Sequence, residues 1–119
     1  MLKLLFIIRR PPWPAIMPTE YLDMAMTAAA FEHTVNLLFM AEGVWQLQAG
    51  QLPPPQHQGR SSVSVWEALE LYDINTLWVE RESLQERGID PAKLILPVIP
   101  VARDALSRLI QRHDRVVHD

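Results

Sequence analysis

Leu2-Lys3-Leu4-Leu5-Phe6-Ile7-Ile8, followed at once by Arg9-Arg10 and Pro11-Pro12-Trp13-Pro14, decides how this chain folds. From Leu4 to Ile8 every side chain is apolar, so the segment keeps no face for water. A strand of that kind is covered on both sides, as in a parallel sheet packed between helices, and it belongs in the interior of the sheet. The run is shorter than the ~7–15 apolar residues of a secretory h-region and far below the ~20 of a membrane span. The expectation is a cytoplasmic protein with no membrane contact.

Outward from Leu2–Ile8, strands and helices alternate. Thr19 is placed to cap a helix whose first turn carries Glu20 and Asp23, acids that suit the positive end of the helix dipole. Leu22, Met26 and the run Ala28-Ala29-Ala30 let that helix lie close on a sheet. Tyr21, Met24 and Phe31 widen its apolar surface beyond one stripe, which marks a deeply buried helix or one that faces a partner. Val35–Met40 reads as the second strand and Glu42–Leu47 as a short helix ended near Gly50. Gln51–Gly59, with Pro53-Pro54-Pro55, is a loop too short to separate domains. Ser64-Val65-Trp66-Glu67 has the form of a capping box and starts a helix that runs to Leu71.

The third strand is read at Asn75–Val79, and a helix at Arg81–Arg87 is stopped by Gly88. Leu94–Ile99 is read as the fourth strand, placed at a sheet edge because Pro97 has no N–H for the ladder. Ala102, Ala105, Leu106, Leu109 and Ile110 follow helical spacing, and Arg115–His118 forms the fifth strand. The alternation predicts one α/β domain over residues 1–119, a three-layer α/β/α sandwich on a five-stranded parallel sheet.

Composition narrows the function. The 11 Lys and Arg stand against 14 Asp and Glu, which leaves no basic field for a nucleic acid backbone. With no cysteine, the chain has no thiol of its own and can carry no thiol chemistry. Apolar residues make up 49% of the chain and four are tryptophan, more than a domain of this size must hide.

Ligands of such sheets bind at the carboxyl ends of the strands. The loop after the first strand has prolines where a phosphate cradle needs glycines and free N–H groups. Arg9 and Arg10 fit an anion or an acidic partner, and more simply a solvated charge pair. His33, His57, His113 and His118 show no metal-ligand spacing and read as isolated surface histidines. No serine sits in a nucleophile elbow, and no cofactor is expected. Glu82 and Glu86, four residues apart beside Arg81 and Arg87, read as a solvated helix face rather than paired catalytic carboxylates.

Four stretches resemble a known family. Leu38-Phe39-Met40-Ala41-Glu42-Gly43-Val44-Trp45-Gln46-Leu47 with Ala49-Gly50-Gln51 is the first, and Leu71-Tyr72-Asp73-Ile74 the second. The others are Trp78 to Asp90, containing Ser83-Leu84-Gln85-Glu86-Arg87-Gly88, and His113-Asp114-Arg115-Val116-Val117. Together they resemble the TusC/DsrF family of bacterial sulfur-relay proteins over nearly the whole chain. The resemblance implies the DsrE-like fold and a non-catalytic subunit of a TusBCD or DsrEFH heterohexamer, with TusB-like (DsrH-like) and TusD-like (DsrE-like) partners. In the TusBCD setting, sulfur travels as a persulfide toward 2-thiouridine at the tRNA wobble position; the DsrF setting is sulfur oxidation. It also implies that the acceptor cysteine of the sister subunit corresponds to about Glu80 here, and the Pro11–Pro14 loop departs from the glycine usual in relatives.

The residues assigned to an assembly surface are Trp45 with Val44 and Leu47, and Tyr21, Met24 and Phe31 on the first helix. Trp66 and Trp78 are assigned to the core. Alone, such a chain is expected to form a homo-oligomer. Two other readings keep distinct marks: a small-molecule module would show a large apolar pocket at the strand ends, and an enzyme using Glu80 or Glu82 as base would hold a carboxyl raised in pKa in a closed cleft.

Overall fold

The structure is a computed structural model, and it describes residues 1–11, 19–48, 69–74 and 76–119, with side chains of the first helix from Asp23 onward. The Pro12–Pro14 part of the proline-rich loop, the Gln51–Gly59 loop, the Ser64–Glu67 capping box and Trp66 lie outside those residues. So does the Tyr21 side chain.

Five parallel strands form one sheet: β1 Lys3–Ile8, β2 Thr34–Phe39, β3 Leu77–Glu80, β4 Ile99–Val101 and β5 Arg115–His118, in the order β4-β3-β2-β1-β5. The interior place expected for the first strand is found: Leu5 pairs with Asn36 on one side and with Val116 on the other. Helices α1 Thr19–Ala30, α2 Arg81–Glu86 and α3 Leu106–Gln111 and a 3₁₀ helix, Ala41–Leu47, fill the crossovers.

Because side chains alternate along a strand, β1 feeds two cores. Phe6 and Ile8 meet Leu37, Phe39 and Val79 on the face covered by α1 and the 3₁₀ helix, where Ala25, Val44 and Leu47 are fully buried. Leu5 and Ile7 meet Leu38 on the opposite face, covered by Leu106 and Leu109 of α3. Trp78 packs there too, edge-on to His113.

Three helical segments end by one device. After α1, Glu32 takes a positive φ of 69° while His33 N–H donates to the Ala28 carbonyl at 3.2 Å. After the helical stretch 69–71, Asp73 takes φ 61° and Ile74 N–H reaches the Leu69 carbonyl at 3.0 Å; after α2, Gly88 takes φ 66° and Ile89 N–H reaches Leu84 at 3.0 Å. These are Schellman closures, and Ile74 and Ile89 then turn inward, 2% and 8% exposed. Gly88 stops its helix as expected.

The fourth strand lies elsewhere than Leu94–Ile99. Ile99–Val101 makes the ladder, with Trp78 opposite Ile99 and Pro100 opposite Val79. Leu94, Ile95, Leu96 and Val98 are apolar because they pack against the first core, and Ile95 N–H bonds the Leu47 carbonyl at 2.9 Å. The edge position is correct, and Pro100 is tolerated there because an edge strand needs a partner on one side only.

Candidate functional site

The carboxyl edge of the sheet brings together the residues that follow β1, β2, β3 and β4. Met40 N–H donates to the Ile8 carbonyl at 3.1 Å, Gly43 N–H to the Met40 carbonyl at 2.9 Å, and between them Ala41 takes a positive φ of 51°. This turn presses the 3₁₀ helix against the end of β1. A Cβ at Gly43 would overlap the Ile8 carbonyl, so only glycine allows the approach.

Glu80, the last residue of β3, is 2% exposed. An ionised carboxylate in that setting must be paired, and it is. The Ser83 hydroxyl donates to Glu80 Oε1 and itself accepts from Ala41 N–H at 2.9 Å. Arg103 Nη2 donates to the same oxygen at 3.0 Å. The one guanidinium also holds Glu86, through Nη2 at 2.8 Å and Nη1 at 3.1 Å, while Arg103 N–H takes both oxygens of Glu82 at 3.0 and 3.1 Å. Glu82 and Glu86 are thus not merely a solvated face: the i,i+4 spacing aims both at Arg103.

Burial by itself pushes the Glu80 carboxyl up, but hydrogen bonds from Arg103 and Ser83 and the charge of Arg103 outweigh it, so the group lies below the usual carboxylate range. The Arg103 hydrogen bond lowers Glu86 as well, and the two glutamates raise Arg103 in return. A carboxylate so held resists protonation at neutral pH, which is the opposite of the mark set for a general base.

A second chain of contacts runs beside the first. Trp45 Nε1 donates to Glu42 Oε2 at 2.9 Å, Arg87 Nη2 to Glu42 Oε1 at 3.0 Å, and Arg87 Nη1 to the Ser83 carbonyl at 3.2 Å. Trp45 is therefore tied to the Glu80 cluster through Glu42, Arg87 and Ser83. Its ring is half-buried against the first core.

The residues assigned to an assembly surface separate. Val44 and Leu47 are fully buried and anchor the 3₁₀ helix to the sheet instead of facing outward, since the Gly43 contact rolls that side inward. Met24 on α1 and Phe31 just past its end stand 50% and 73% exposed and line an open apolar groove of about 660 Å³ with Leu4, Phe6, Ala28 and Val117. That groove lies between α1 and the β1–β5 edge, away from Trp45.

Two histidines are not isolated. His33 Nδ1 accepts from Leu2 N–H at 3.1 Å, and His113 lies 2.9 Å from Asn36 Nδ2 through Nε2 and 2.8 Å from the Leu109 carbonyl through Nδ1. Among the described residues no group of acids and histidines is placed to hold a metal, and no helix is long and apolar enough to cross a membrane. Sequence reasoning missed Arg103 and Ser83. A cation two residues after an edge strand was the available signal for Arg103, and a serine three residues beyond the strand-ending Glu80 was that for Ser83.

The fold matches the crystal structure of the ychN protein from Escherichia coli, with a TM-score of 0.79, full coverage of both chains and 20% identity. The sequence is 36% identical over 115 residues to a Protein TusC homolog of Pseudomonas aeruginosa, covering 97% of this chain and 96% of that one. It is 31% identical over 118 residues to Protein TusC of Escherichia coli O8, covering 98% of both. The DsrE/DsrF-like family model matches residues 2–118, and the chain belongs to the DsrE/DsrF-like family.

Proposed function

We propose that this chain is the non-carrier subunit of a sulfur-relay complex of the TusBCD or DsrEFH kind, working beside TusB-like and TusD-like sisters in the cytoplasm. The observation that carries the reading is the locked carboxylate of Glu80. The position that resembles the sister's acceptor cysteine holds a buried glutamate paired with Ser83 and Arg103, and the chain has no cysteine with which to carry sulfur elsewhere. A carboxylate forms no persulfide, so the thiol must come from a sister, and this chain contributes surface and structure. The likeness to the two TusC proteins favours a role in thiolating the wobble uridine of tRNA over sulfur oxidation.

Coexpression with a cysteine-bearing DsrE-like subunit and the third relative tests this. Native mass spectrometry should find equal copies of the three chains, and a persulfide donor should add sulfur mass to the sister and none to this chain. A chain that stays monomeric and ignores both sisters would overturn the assembly. Within the complex, Trp45→Ala should weaken association about tenfold or more if the exposed part of that ring is an anchor.

A further inference from the structure

We infer that the carboxyl end of β1 is a carboxylate-binding site, built from the consecutive N–H groups of Arg9 and Arg10 and filled within the chain by the side chain of Asp119. Asp119 Oδ1 accepts from Arg9 N–H at 2.9 Å and Oδ2 from Arg10 N–H at 3.3 Å, one oxygen to each donor. The arrangement goes beyond the proposed relay role and uses none of its residues.

Comparison with the other end of β5 shows why this is more than a strand cap. Asp114 closes the amino end by a reciprocal pair, its Oδ2 accepting from Lys3 N–H at 2.7 Å and its own N–H donating to the Lys3 carbonyl at 2.7 Å. That pair continues the ladder. At the carboxyl end the Asp119 N–H reaches the Ile7 carbonyl only at 3.4 Å, so the carboxylate, not the ladder, makes the firm contact.

The donors are held ready. The Arg10 carbonyl accepts at 3.3 Å from Nε2 of Gln46, a side chain 1% exposed, and the Ile8 carbonyl accepts from Met40 N–H. The site also has a surplus of positive charge. Both Arg9 and Arg10 are exposed, and among the described residues neither guanidinium has a carboxylate within ion-pair distance. Two adjacent N–H donors, one to each oxygen, match a planar carboxylate. The position, beyond the carboxyl end of a parallel strand, is where open α/β sheets receive ligands.

The ligand class is therefore a carboxylate, delivered by an acidic segment of a partner protein or by a free dicarboxylate. Asp119 competes with it as a tethered ligand whose effective concentration is on the order of millimolar. Amide chemical shifts of the full ¹⁵N-labelled chain decide the matter, with wild type and Asp119→Ala each titrated with succinate and with a capped peptide of adjacent glutamates. In the variant, the Arg9 and Arg10 amides should shift saturably at a concentration at least tenfold lower than in wild type. Tighter binding of the peptide assigns the site to a partner's acidic segment, and tighter binding of succinate to a free dicarboxylate. Should loss of Asp119 release β5, visible in the Leu5 and Phe6 amides, Asp119→Asn keeps one acceptor and is titrated instead. Amides that ignore both ligands, or that respond alike in wild type and variant, overturn the site.

Discussion

The ends of β1 and β3 lie along one edge of the sheet and are built with opposite charge. At β1 the strand offers N–H groups and two arginines and receives the carboxylate of Asp119. At β3 the strand offers a carboxylate, Glu80, and receives the guanidinium of Arg103. The Glu80 side chain is 3% exposed, while Arg9 and Arg10 are open to solvent. The comparison teaches that the same closing device is structural where it is buried and exchangeable where it is wet, because an unpaired charge is costly only when water cannot reach it.

The most severe way to break the comparison is at the turn that links the two ends. Gly43→Ala places a methyl group against the Ile8 carbonyl, which is backbone and cannot rotate away. We expect a loss of about 3 kcal/mol or more in urea unfolding, at the upper range of overpacking effects. A variant of normal stability would mean that the 3₁₀ helix is not pressed on β1.

Next in size is Arg103→Ala, which leaves Glu80 buried with Ser83 as its remaining donor. The melting temperature should fall by several degrees, and Glu80→Gln in the same chain should recover part of the loss, since an amide has no charge to strand. Additive effects of the two substitutions would argue that the pair does not interact.

Acid gives a smaller and graded effect. Glu80 and Glu86 lie below the usual carboxylate range in the folded chain. Between that lowered value and the ordinary glutamate value of about 4.3 the unfolded chain binds more protons. The stabilisation is thus complete above the ordinary value and is lost as pH falls through the lowered one. In Arg103→Ala this part of the acid slope should flatten. The mildest change is Asp119→Ala, whose contacts are exposed, and unfolding should register less than about 1 kcal/mol. A large loss there would make Asp119 a structural cap and remove the contrast between the two ends.

Much of the fold was legible because it depends on short-range chemistry. The apolar run Leu4–Ile8 placed β1, and Gly88 stopped α2. Two of the stretches that carried the family resemblance contain helix stops: Leu71-Tyr72-Asp73-Ile74 and the Gly88-Ile89 closure are Schellman turns with a buried isoleucine. The fourth strand was misplaced because an apolar run reports burial, and Leu94–Val98 is half-buried against the first core and bridged to the end of the 3₁₀ helix instead of to the sheet. Arg103 was not legible as a site residue, since its meeting with Glu80 is 23 positions distant in sequence and is set by the β3–β4 crossover. Val44 and Leu47 were read outward because periodicity cannot tell which side of a short helix a glycine contact will turn toward the sheet.

The pairing of β5 with β1 also fixes an order of assembly. Arg9 and Asp119 are 110 positions apart, and the outer edge of β1 has no ladder until Arg115–His118 arrives. The β1–α1–β2 unit closes over a far shorter loop and meets a smaller entropic barrier. During synthesis, that unit is complete while β1 still shows one bare edge to its surroundings. The interval before β5 docks is when this chain is most open to strand addition by another molecule, and the amides of β5 should be the first in the sheet to exchange with solvent.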